Sequence, residues 1–167
     1  MKKIRLTQGK FALVDDEDFD FLSQWKWCVD SKGYAKRTVC LGKIDGKKKY
    51  RTLLMHRVLL NPGPDQEVDH RNRIRSDNRR INLRVCTPNQ NNLNCDRATK
   101  INTSKYRGVI WCKRDKRWIA QLRFNKKHVL RKAFPTEVEA ALAYNEAAKM
   151  YHGEFALLNE INTANCN

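Results

Sequence analysis

An imidazole, a carboxylate and two side-chain amides follow one another in one basic stretch of the chain. Asp69 and His70 are adjacent, and Asn82 and Asn91 lie downstream. A histidine can take a proton from water near neutral pH, and carboxylate and amide oxygens are ligands that suit Mg²⁺. The arginines around them supply the charge that a polyanionic substrate demands. These residue types indicate hydrolysis of a phosphodiester with the help of one divalent metal ion.

The same stretch resembles the HNH nuclease motif, in the variant of phage and intron-encoded homing endonucleases whose last histidine is an asparagine. The resemblance rests on Asp69-His70, on Asn82 with the Leu-Arg that follows it, and on Asn91. It implies a ββα-metal fold that holds Mg²⁺ or Mn²⁺. In that fold His70 is the general base, Asp69 and Asn91 bind the metal, and Asn82 braces the hairpin. The alternative is a basic loop whose Asn residues only stabilise turns through local hydrogen bonds.

Positive charge dominates the composition. The 34 Lys and Arg against 18 Asp and Glu give a formal net charge of +16, which indicates a polyanionic partner. The basic residues are spread over several segments, and no run of about 18 apolar residues occurs, so nucleic acid is favoured over a membrane. Double-stranded DNA is the expected partner. The arginines near the motif that are expected to contact phosphate, with a solvated loop as the alternative, are Arg71, Arg73, Arg75, Arg79, Arg80 and Arg84.

The six cysteines contain no Cys-x-x-Cys pair, and no signal peptide is recognised. Disulfides are therefore not expected, and the predicted compartment is the reducing cytoplasm, that of a bacterial host if the protein is phage-encoded. The spacing of Cys86 and Cys95 matches no usual zinc pattern, so both are interpreted as packed thiols. The oligomeric state stays open between a monomer and a homodimer.

The predicted fold class is α+β. Residues 1–94 are predicted to form the nuclease domain, with a β-rich leader over 1–60 and the ββα-metal motif over 66–94. In the leader, a strand pair over 4–14 precedes a helix capped by Asp15, and strands are predicted over 25–29, 34–41 and 50–54. A short helix is predicted over 56–60. Thr87 is the expected N-cap of the helix that carries Asn91, with Pro88 in its first position. Residues 95–105 have no periodicity and are predicted to be a basic linker.

Residues 106–160 are predicted to form a second domain, with three short strands followed by one helix. In the middle strand, Trp118, Ala120 and Leu122 alternate with polar and basic residues, which predicts one apolar face and one polar face. Thr136 and Glu139 form a capping box for the helix, and Gly153 ends it. The strands are expected over 107–112, 117–124 and 128–133, with the parity of Trp111 ambiguous.

The second domain resembles the ethylene-response-factor (Apetala-type) DNA-binding domain of plants. The residues that carry the resemblance are Tyr106-Arg107-Gly108-Val109, Trp118-Ile119-Ala120, the alanine-rich helix and His152 to Asn159. The resemblance implies that the polar face of the sheet enters the major groove, with Arg107, Gln121 and Arg123 at contact positions. Ile110 and Lys132 depart from that family's pattern, so the plant target sequence does not carry over. Arg114 is expected to contact phosphate.

Together these features predict a site-specific, homing-type DNA endonuclease whose target is read by the C-terminal sheet. The first alternative is a non-catalytic DNA-binding regulator on a nuclease-like scaffold, which would be expected to have lost Asp69 or His70. An RNA-binding protein is the weaker alternative, because no aromatic RNA-binding strand is recognised. The role of His56, in an apolar stretch before the motif, is open between a hydrogen-bonded structural histidine and a second functional one.

Overall fold

Short antiparallel strands and a few helices make up the chain, as the mixed α/β character of its sequence predicts. The computed structural model describes residues 1–95 and 103–161. It divides the chain into two compact units, Met1–Asn92 and Leu93–Asn167. Most of the predicted linker, residues 96–102, lies outside the described residues, as does Cys166. Within the described ranges, no helix is long and apolar enough to cross a bilayer.

The first unit begins with a β-rich region. Its elements are β1 (Lys2–Arg5), β2 (Phe11–Val14), α1 (Asp16–Ser23), β3 (Cys28–Val29), β4 (Ala35–Ile44), β5 (Lys47–Leu54) and α2 (Met55–Leu60). Strands β1 and β2 form a hairpin, and β3, β4 and β5 form a three-stranded antiparallel sheet. The strand predicted over 25–29 is reduced to its last two residues. Trp27 lies outside it and is buried in the core, where its indole nitrogen donates to the carbonyl of Leu22 over 2.8 Å.

The β-hairpin that carries the motif follows this region. Its strands are β6 (Glu67–His70) and β7 (Leu83–Cys86), preceded on the β7 side by a 3₁₀ turn over Arg80–Asn82. Helix α3 (Pro88–Leu93) comes next in the chain. Thr87 Oγ1 accepts from the backbone N–H of Gln90 over 3.3 Å, as expected of the predicted N-cap, while Gln90 Oε1 accepts from the N–H of Thr87 over 2.9 Å.

A single apolar core joins these parts of the first unit. Residues from β1, β2, α1, α2 and the motif hairpin contribute to it: Ile4, Leu6, Ala12, Val14, Leu22, Trp27, Ala35, Met55, Leu59, Val68 and Leu83. Because Val68 and Leu83 come from β6 and β7, one face of the motif hairpin is packed against the β-rich region. That face of the hairpin is therefore part of the core of the first unit.

The second unit is one sheet covered by one helix. Strands β8 (Val109–Cys112), β9 (Arg117–Phe124) and β10 (Lys127–Phe134) form an antiparallel sheet with β9 in the middle, and α4 (Glu137–His152) follows. Ala120 and Leu122 of β9 pack against alanines and Tyr144 of α4. Thr136 and Glu139 form the predicted capping box, and Gly153 is the C-cap.

The first strand of this sheet starts two residues later than the sequence predicts. Gly108 has φ of +72°, and a Cβ atom there would lie 2.1 Å from the ring of Tyr144. Glycine is needed for both reasons, and the turn that it makes delays the strand to Val109. The pairing of Trp111 with Trp118, whose ring centroids are 5.0 Å apart, places Trp111 on the apolar face of the sheet.

Candidate active site

The two faces of the motif hairpin differ in chemistry because side chains alternate along each strand. Asp69 pairs with Arg84 across the hairpin, and His70 pairs with Leu83. Glu67, Asp69 and Arg84 therefore share one face, while Val68, His70 and Leu83 share the other, which joins the core. Asp69 and His70 are 5% and 4% exposed. The structure places the carboxylate and the imidazole next to each other in sequence but on opposite faces of β6.

A buried ion pair occupies the face that carries Asp69. The Nε and Nη2 atoms of Arg84 donate to Asp69 Oδ2 over 2.8 and 2.6 Å, and Arg84 is itself 8% exposed. Two charges removed from water need this kind of pairing, since a lone buried charge is costly. Arg84 was expected on the DNA-contacting surface; the structure instead places it inside the unit, on the carboxylate of the motif.

Asn91 reaches the same face from α3. Its Nδ2 atom donates to Glu67 Oε2 over 2.5 Å, and Glu67 lies two residues before Asp69 on β6. An amide whose nitrogen faces Glu67 directs its oxygen to the other side. Glu67 was not predicted as a site residue, although its spacing of two residues from Asp69 in a strand indicates a shared face.

The donor chemistry of this face fits a hard divalent cation. Asp69 and Asn91 offer a carboxylate and an amide oxygen, and Mg²⁺ often needs only one or two protein ligands besides water and substrate phosphate. Within the described part of the chain, His, Cys, Asp and Glu side chains form no group of three that could hold a metal. The fit therefore rests on a carboxylate and an amide, as the HNH resemblance implies.

His70 lies in an aromatic pocket on the core face. The ring centroid of His56 is 5.1 Å from that of His70, with the two planes nearly perpendicular, and the Tyr34 ring is 5.8 Å from His70 and 5.2 Å from His56. Perpendicular and tilted contacts at these distances are favourable for aromatic rings. The pocket thus fixes the plane of the His70 imidazole with two side chains from outside the motif.

Burial governs the protonation of both imidazoles. It lowers the pKa of His56 to about 3, with repulsion from His70 and Arg57 acting in the same direction. Burial also lowers the pKa of His70, against the opposing effects of a hydrogen bond with Asn78 and the charge of Asp69. His56 is 5% exposed, and its Nδ1 atom has no hydrogen-bond partner. His56 thus lacks a hydrogen-bond partner on one ring nitrogen, and its role stays open between a structural histidine and a second functional one.

Asn82 braces the loop between the hairpin strands, the role that the HNH resemblance implies. Its Oδ1 accepts from the N–H of Asn72 over 2.9 Å, and its Nδ2 donates to the carbonyl of Asp77 over 2.7 Å. The carboxylate of Asp77, which is 1% exposed, accepts from the side chain of Asn72 over 2.8 Å. One amide thus connects both ends of the loop.

Acidic residues bind two arginine side chains and one backbone N–H of this loop. Arg79 donates to Asp77 over 2.6 and 2.7 Å, which lowers the pKa of that carboxyl. The guanidinium of Arg80 binds both oxygens of Asp18 over 2.7 and 2.8 Å. Asp15, the positional N-cap of α1, makes no side-chain capping bond and instead accepts from the backbone N–H of Arg80 over 2.7 Å. Asp15 and Asp18 at the start of α1 therefore hold the motif loop in place. Arg79 and Arg80 are both paired with carboxylates of the first unit.

An open basic cleft lies beside the loop. Arg73 and Arg75 line it together with Lys10 and Lys32, and Leu6, Phe11 and Val29 form apolar parts of its wall. Arg75 is exposed, and its guanidinium lies 5.1 Å from the Tyr34 ring while donating to the carbonyl of Lys32 over 2.6 Å. Arg71 is also exposed. Lys10 and Lys32 were not predicted because they are distant from the motif in sequence.

In the second unit, the predicted contact residues have different surroundings. Arg107 is partly buried and donates to Tyr144 Oη over 3.0 Å and to the carbonyls of Cys95 and Leu93. Gln121 and Arg123 lie on the face of β9 away from α4, Gln121 half-buried and Arg123 exposed. Arg114 is exposed and paired with Asp115 over 2.8 Å. The polar face of the sheet is thus open to solvent at Arg123.

The motif segment matches a known protein family, and almost the whole chain is similar to a viral protein. Residues 62–93 match the model of the HNH endonuclease family. An uncharacterised HNH endonuclease of Acanthamoeba polyphaga mimivirus is 30% identical over 154 residues, which cover 92% of this chain and 77% of the relative. No solved structure matches the chain significantly. The matched segment contains β6, the braced loop, β7 and α3, and the alignment with the relative extends over almost the whole chain. The chain therefore belongs to the HNH endonuclease family.

Proposed function

We propose that the protein is a site-specific, homing-type DNA endonuclease that hydrolyses phosphodiester bonds with one divalent metal ion. The observation that carries the proposal is the braced hairpin, in which Asn82 fixes the loop next to the buried Asp69 and His70. A turn-forming basic loop would not require a buried carboxylate and imidazole. The regulator alternative predicts the loss of one of these two groups, and both are present.

His70 is the proposed general base. It takes a proton from a water molecule whose oxygen attacks the phosphorus, so that a new P–O bond forms while the bond to the 3′-oxygen breaks. The products carry a 5′-phosphate and, after protonation of the departing oxygen, a 3′-hydroxyl. Tyr34 and His56 hold the imidazole in one plane, which favours a fixed direction of proton transfer.

Asp69 and Asn91 are the proposed ligands of Mg²⁺ or Mn²⁺. The bound ion would supply charge stabilisation for the phosphate oxygens as negative charge builds in the transition state. Arg84 holds the Asp69 carboxylate in place through the buried ion pair. We expect cleavage to depend on added Mg²⁺ or Mn²⁺ and to stop in excess chelator.

Access to His70 involves Arg75 in this proposal. His70 is 4% exposed, and the exposed guanidinium of Arg75 lies over Tyr34, whose ring contacts His70. A phosphate that binds Arg75 would replace the carbonyl of Lys32 as its partner. Substrate binding would thereby release the side of the pocket that now covers the base.

The test of the chemistry is the His70→Ala variant. A general base contributes about 10²–10⁴-fold to the rate, so cleavage of supercoiled plasmid with Mg²⁺ should fall by that factor. Binding of duplex DNA, measured by fluorescence anisotropy without metal, should stay within about twofold. The exposed His128→Ala variant is the matched control and should cut like the wild type. Equal cutting rates for wild type and His70→Ala would contradict the proposal.

We also propose that the second unit reads the DNA target, as its resemblance to the ethylene-response-factor domain implies. Its open sheet face carries Gln121 and Arg123 at middle-strand positions, and arginine and glutamine bind base edges in the major groove. Arg107 is committed to Tyr144 and two carbonyls in the structure. Its proposed role is therefore to support the sheet edge, with base contact left to the other two.

A site-selection experiment tests this division of labour. The Gln121→Ala/Arg123→Ala variant should keep its cutting rate on non-specific DNA, because neither residue belongs to the hairpin. Among the fragments cut from a random-sequence library, the base preference should flatten by about 1–3 kcal/mol per contacted base. Arg114→Ala, which removes an exposed phosphate contact, is the control and should weaken binding without changing the preference. An unchanged preference in the double variant would refute target reading by this face.

A further inference from the structure

The β4–β5 hairpin extends from the first unit without a cover on either face. All thirteen residues from Cys40 to Thr52, here named the β4–β5 arm, are exposed. At its base the hairpin is anchored, since Ala35 is 1% exposed and the guanidinium of Arg37 lies 3.9 Å from the Trp25 ring. The arm therefore projects from a fixed base and contributes nothing to the core.

The arm carries features that cost stability in the isolated protein. A two-stranded ribbon with no packed face is only marginally stable in water. Lys43 and Lys48 are directly opposite each other, and like charges in such a pair are destabilising. A β-bulge between Cys40 and Gly42 bends the ribbon and increases its twist. None of these features is explained by a contribution to the folding of the first unit.

The charge of the arm and its base is almost wholly positive. Between Ala35 and Leu54 there is one acid, Asp45, and the seven basic residues are Lys36, Arg37, Lys43, Lys47, Lys48, Lys49 and Arg51. In the described parts of the chain, none of the seven forms an ion pair with an acid. Lysines on exposed strands can also serve to prevent edge-to-edge aggregation. That purpose does not require three consecutive lysines, which charge both faces.

Exposed apolar side chains accompany the charge. Leu41, Ile44 and Tyr50 are 55%, 49% and 58% exposed. Exposed apolar side chains of this kind can contact the methyl group of thymine. The aliphatic stems of the lysines can lie along a groove wall. A ribbon of two strands spaced about 4.8 Å apart fits the major groove of B-DNA, which is about 12 Å wide.

We propose that the β4–β5 arm is a second DNA-binding element that inserts into the major groove of the duplex, with Lys47, Lys48 and Lys49 on its phosphates. The proposal rests on the proposed nuclease function, because it assigns the arm to the same DNA. It gives the first unit its own grip on the substrate, separate from the sheet of the second unit. The arm supplies affinity, and its apolar side chains contact bases.

The test compares two full-length variants with the same loss of charge. Lys47→Ala/Lys48→Ala/Lys49→Ala alters the arm, and Lys3→Ala/Arg5→Ala/Lys26→Ala removes three exposed charges elsewhere in the first unit. Binding to a 30-base-pair duplex is measured by anisotropy in chelator over a range of salt. Because each phosphate contact contributes about 0.9 to the slope of log K against log salt, the slope should decrease by about 2–3 in the arm variant. It should change by less than about 1 in the control.

The outcomes separate this proposal from the nuclease proposal. Equal salt slopes in the arm variant and the control variant would overturn the proposal that the arm binds DNA. A wild type that does not bind the duplex would overturn it as well. If the salt slope decreases as expected in the arm variant but the wild type never cuts DNA, the arm proposal stands and the nuclease proposal is wrong. The A-form major groove is too deep and narrow for the arm. If the lysine substitutions weaken binding of double-stranded RNA as much as that of DNA, groove insertion is refuted.

Groove choice has its own measurement. Duplexes whose cytosines carry glucosylated hydroxymethyl groups obstruct the major groove, and the wild type should bind them more weakly than unmodified DNA. In the arm variant that difference should shrink, because the sheet of the second unit is then the only proposed element left in the major groove. A minor-groove ligand such as netropsin should compete little with the arm. Full competition by netropsin together with indifference to glucosylation would place the arm in the wrong groove and refute the assignment.

Discussion

The motif hairpin and the C-terminal sheet use their interiors in opposite ways. In the first unit the buried polar or charged residues are Asp18, His56, Asp69, His70, Asp77, Asn78, Asn82 and Arg84. Among the described residues of the second unit they are Asn94, Ser104, Asn145 and His152. Beneath β9, the second unit instead packs alanines and one tyrosine against the sheet.

The first unit thus buries many ionisable and amide groups, whereas the second unit has a mainly apolar interior. Buried polar groups are costly unless each has a partner, and six of the eight in the first unit fall within residues 69–84. Such a concentration destabilises the unit unless each group has a hydrogen-bond or ionic partner. The second unit places Gln121 and Arg123 on the outer face of the sheet, where polar side chains cost little free energy.

The largest contrast is expected from removing the buried Arg84 of the first unit and the partly buried Arg107 of the second. Arg84→Met leaves the Asp69 carboxylate buried without its ion pair, which should lower the free energy of unfolding by about 3–5 kcal/mol. Arg107→Met leaves neutral acceptors, the Tyr144 hydroxyl and two carbonyls, and should cost about 1–3 kcal/mol. Amide hydrogen exchange, read separately over β6–β7 and over β8–β10, measures both losses.

The double variant Asp69→Asn/Arg84→Met is the control for this experiment. It removes both charges, so it should recover most of the stability that Arg84→Met loses. Equal losses in the single and double variants would show that Arg84 contributes packing rather than charge compensation, and the contrast between the two units would fail.

A smaller contrast is expected in the acid response. The pKa of His56 is lowered to about 3 by burial, so the unfolded chain binds a proton at this position that the folded unit does not. The contribution of His56 to the free energy of unfolding is fully present above pH 6.5. It should fall as the pH decreases from 6.5 toward 3, by about 1.4 kcal/mol per pH unit. The His56→Phe variant should lose that part of the slope over β6–β7, measured by hydrogen exchange between pH 6 and 4.

The exposed His128 provides the comparison for this measurement. His128→Phe should leave the slope unchanged, since its imidazole is exposed. A wild-type slope over β6–β7 that persists in His56→Phe would assign the acid response to other groups. His56→Phe also keeps an aromatic ring against His70, so its cutting rate should exceed that of His56→Ala.

The sequence predicted most elements because their signals are local. Thr87 with Pro88 and Thr136 with Glu139 predicted two helix starts, and strand alternation predicted the inward face of β9. The HNH resemblance named the residues of the motif before any contact was known. The turn at Asp45-Gly46, where Asp45 has φ of +51°, lies between the two strands that were predicted over 34–41 and 50–54 and that are longer in the structure.

The partners of the motif could not be predicted because they are distant in sequence. Tyr34 and His56 reach His70 from the β-rich region, and Asp18 binds Arg80 across a separation of 62 residues. Arg84 was assigned to the surface because charge alone does not show which face a strand residue occupies. Glu67 lacked a motif of its own, and the exposure of the arm depends on what fails to pack against it.

The way the motif loop is fastened limits how the nuclease can be engineered. Its backbone bonds with Leu13 on β2, at 2.8 Å from the N–H of Leu13 to Ser76 and 2.8 Å from Asn78 to Leu13, and α1 holds Arg80. The family match covers only residues 62–93. A graft of that segment onto another scaffold would leave behind both the strand and the acidic helix that shape the loop. The transplantable module of this nuclease is thus the whole of Met1–Asn92.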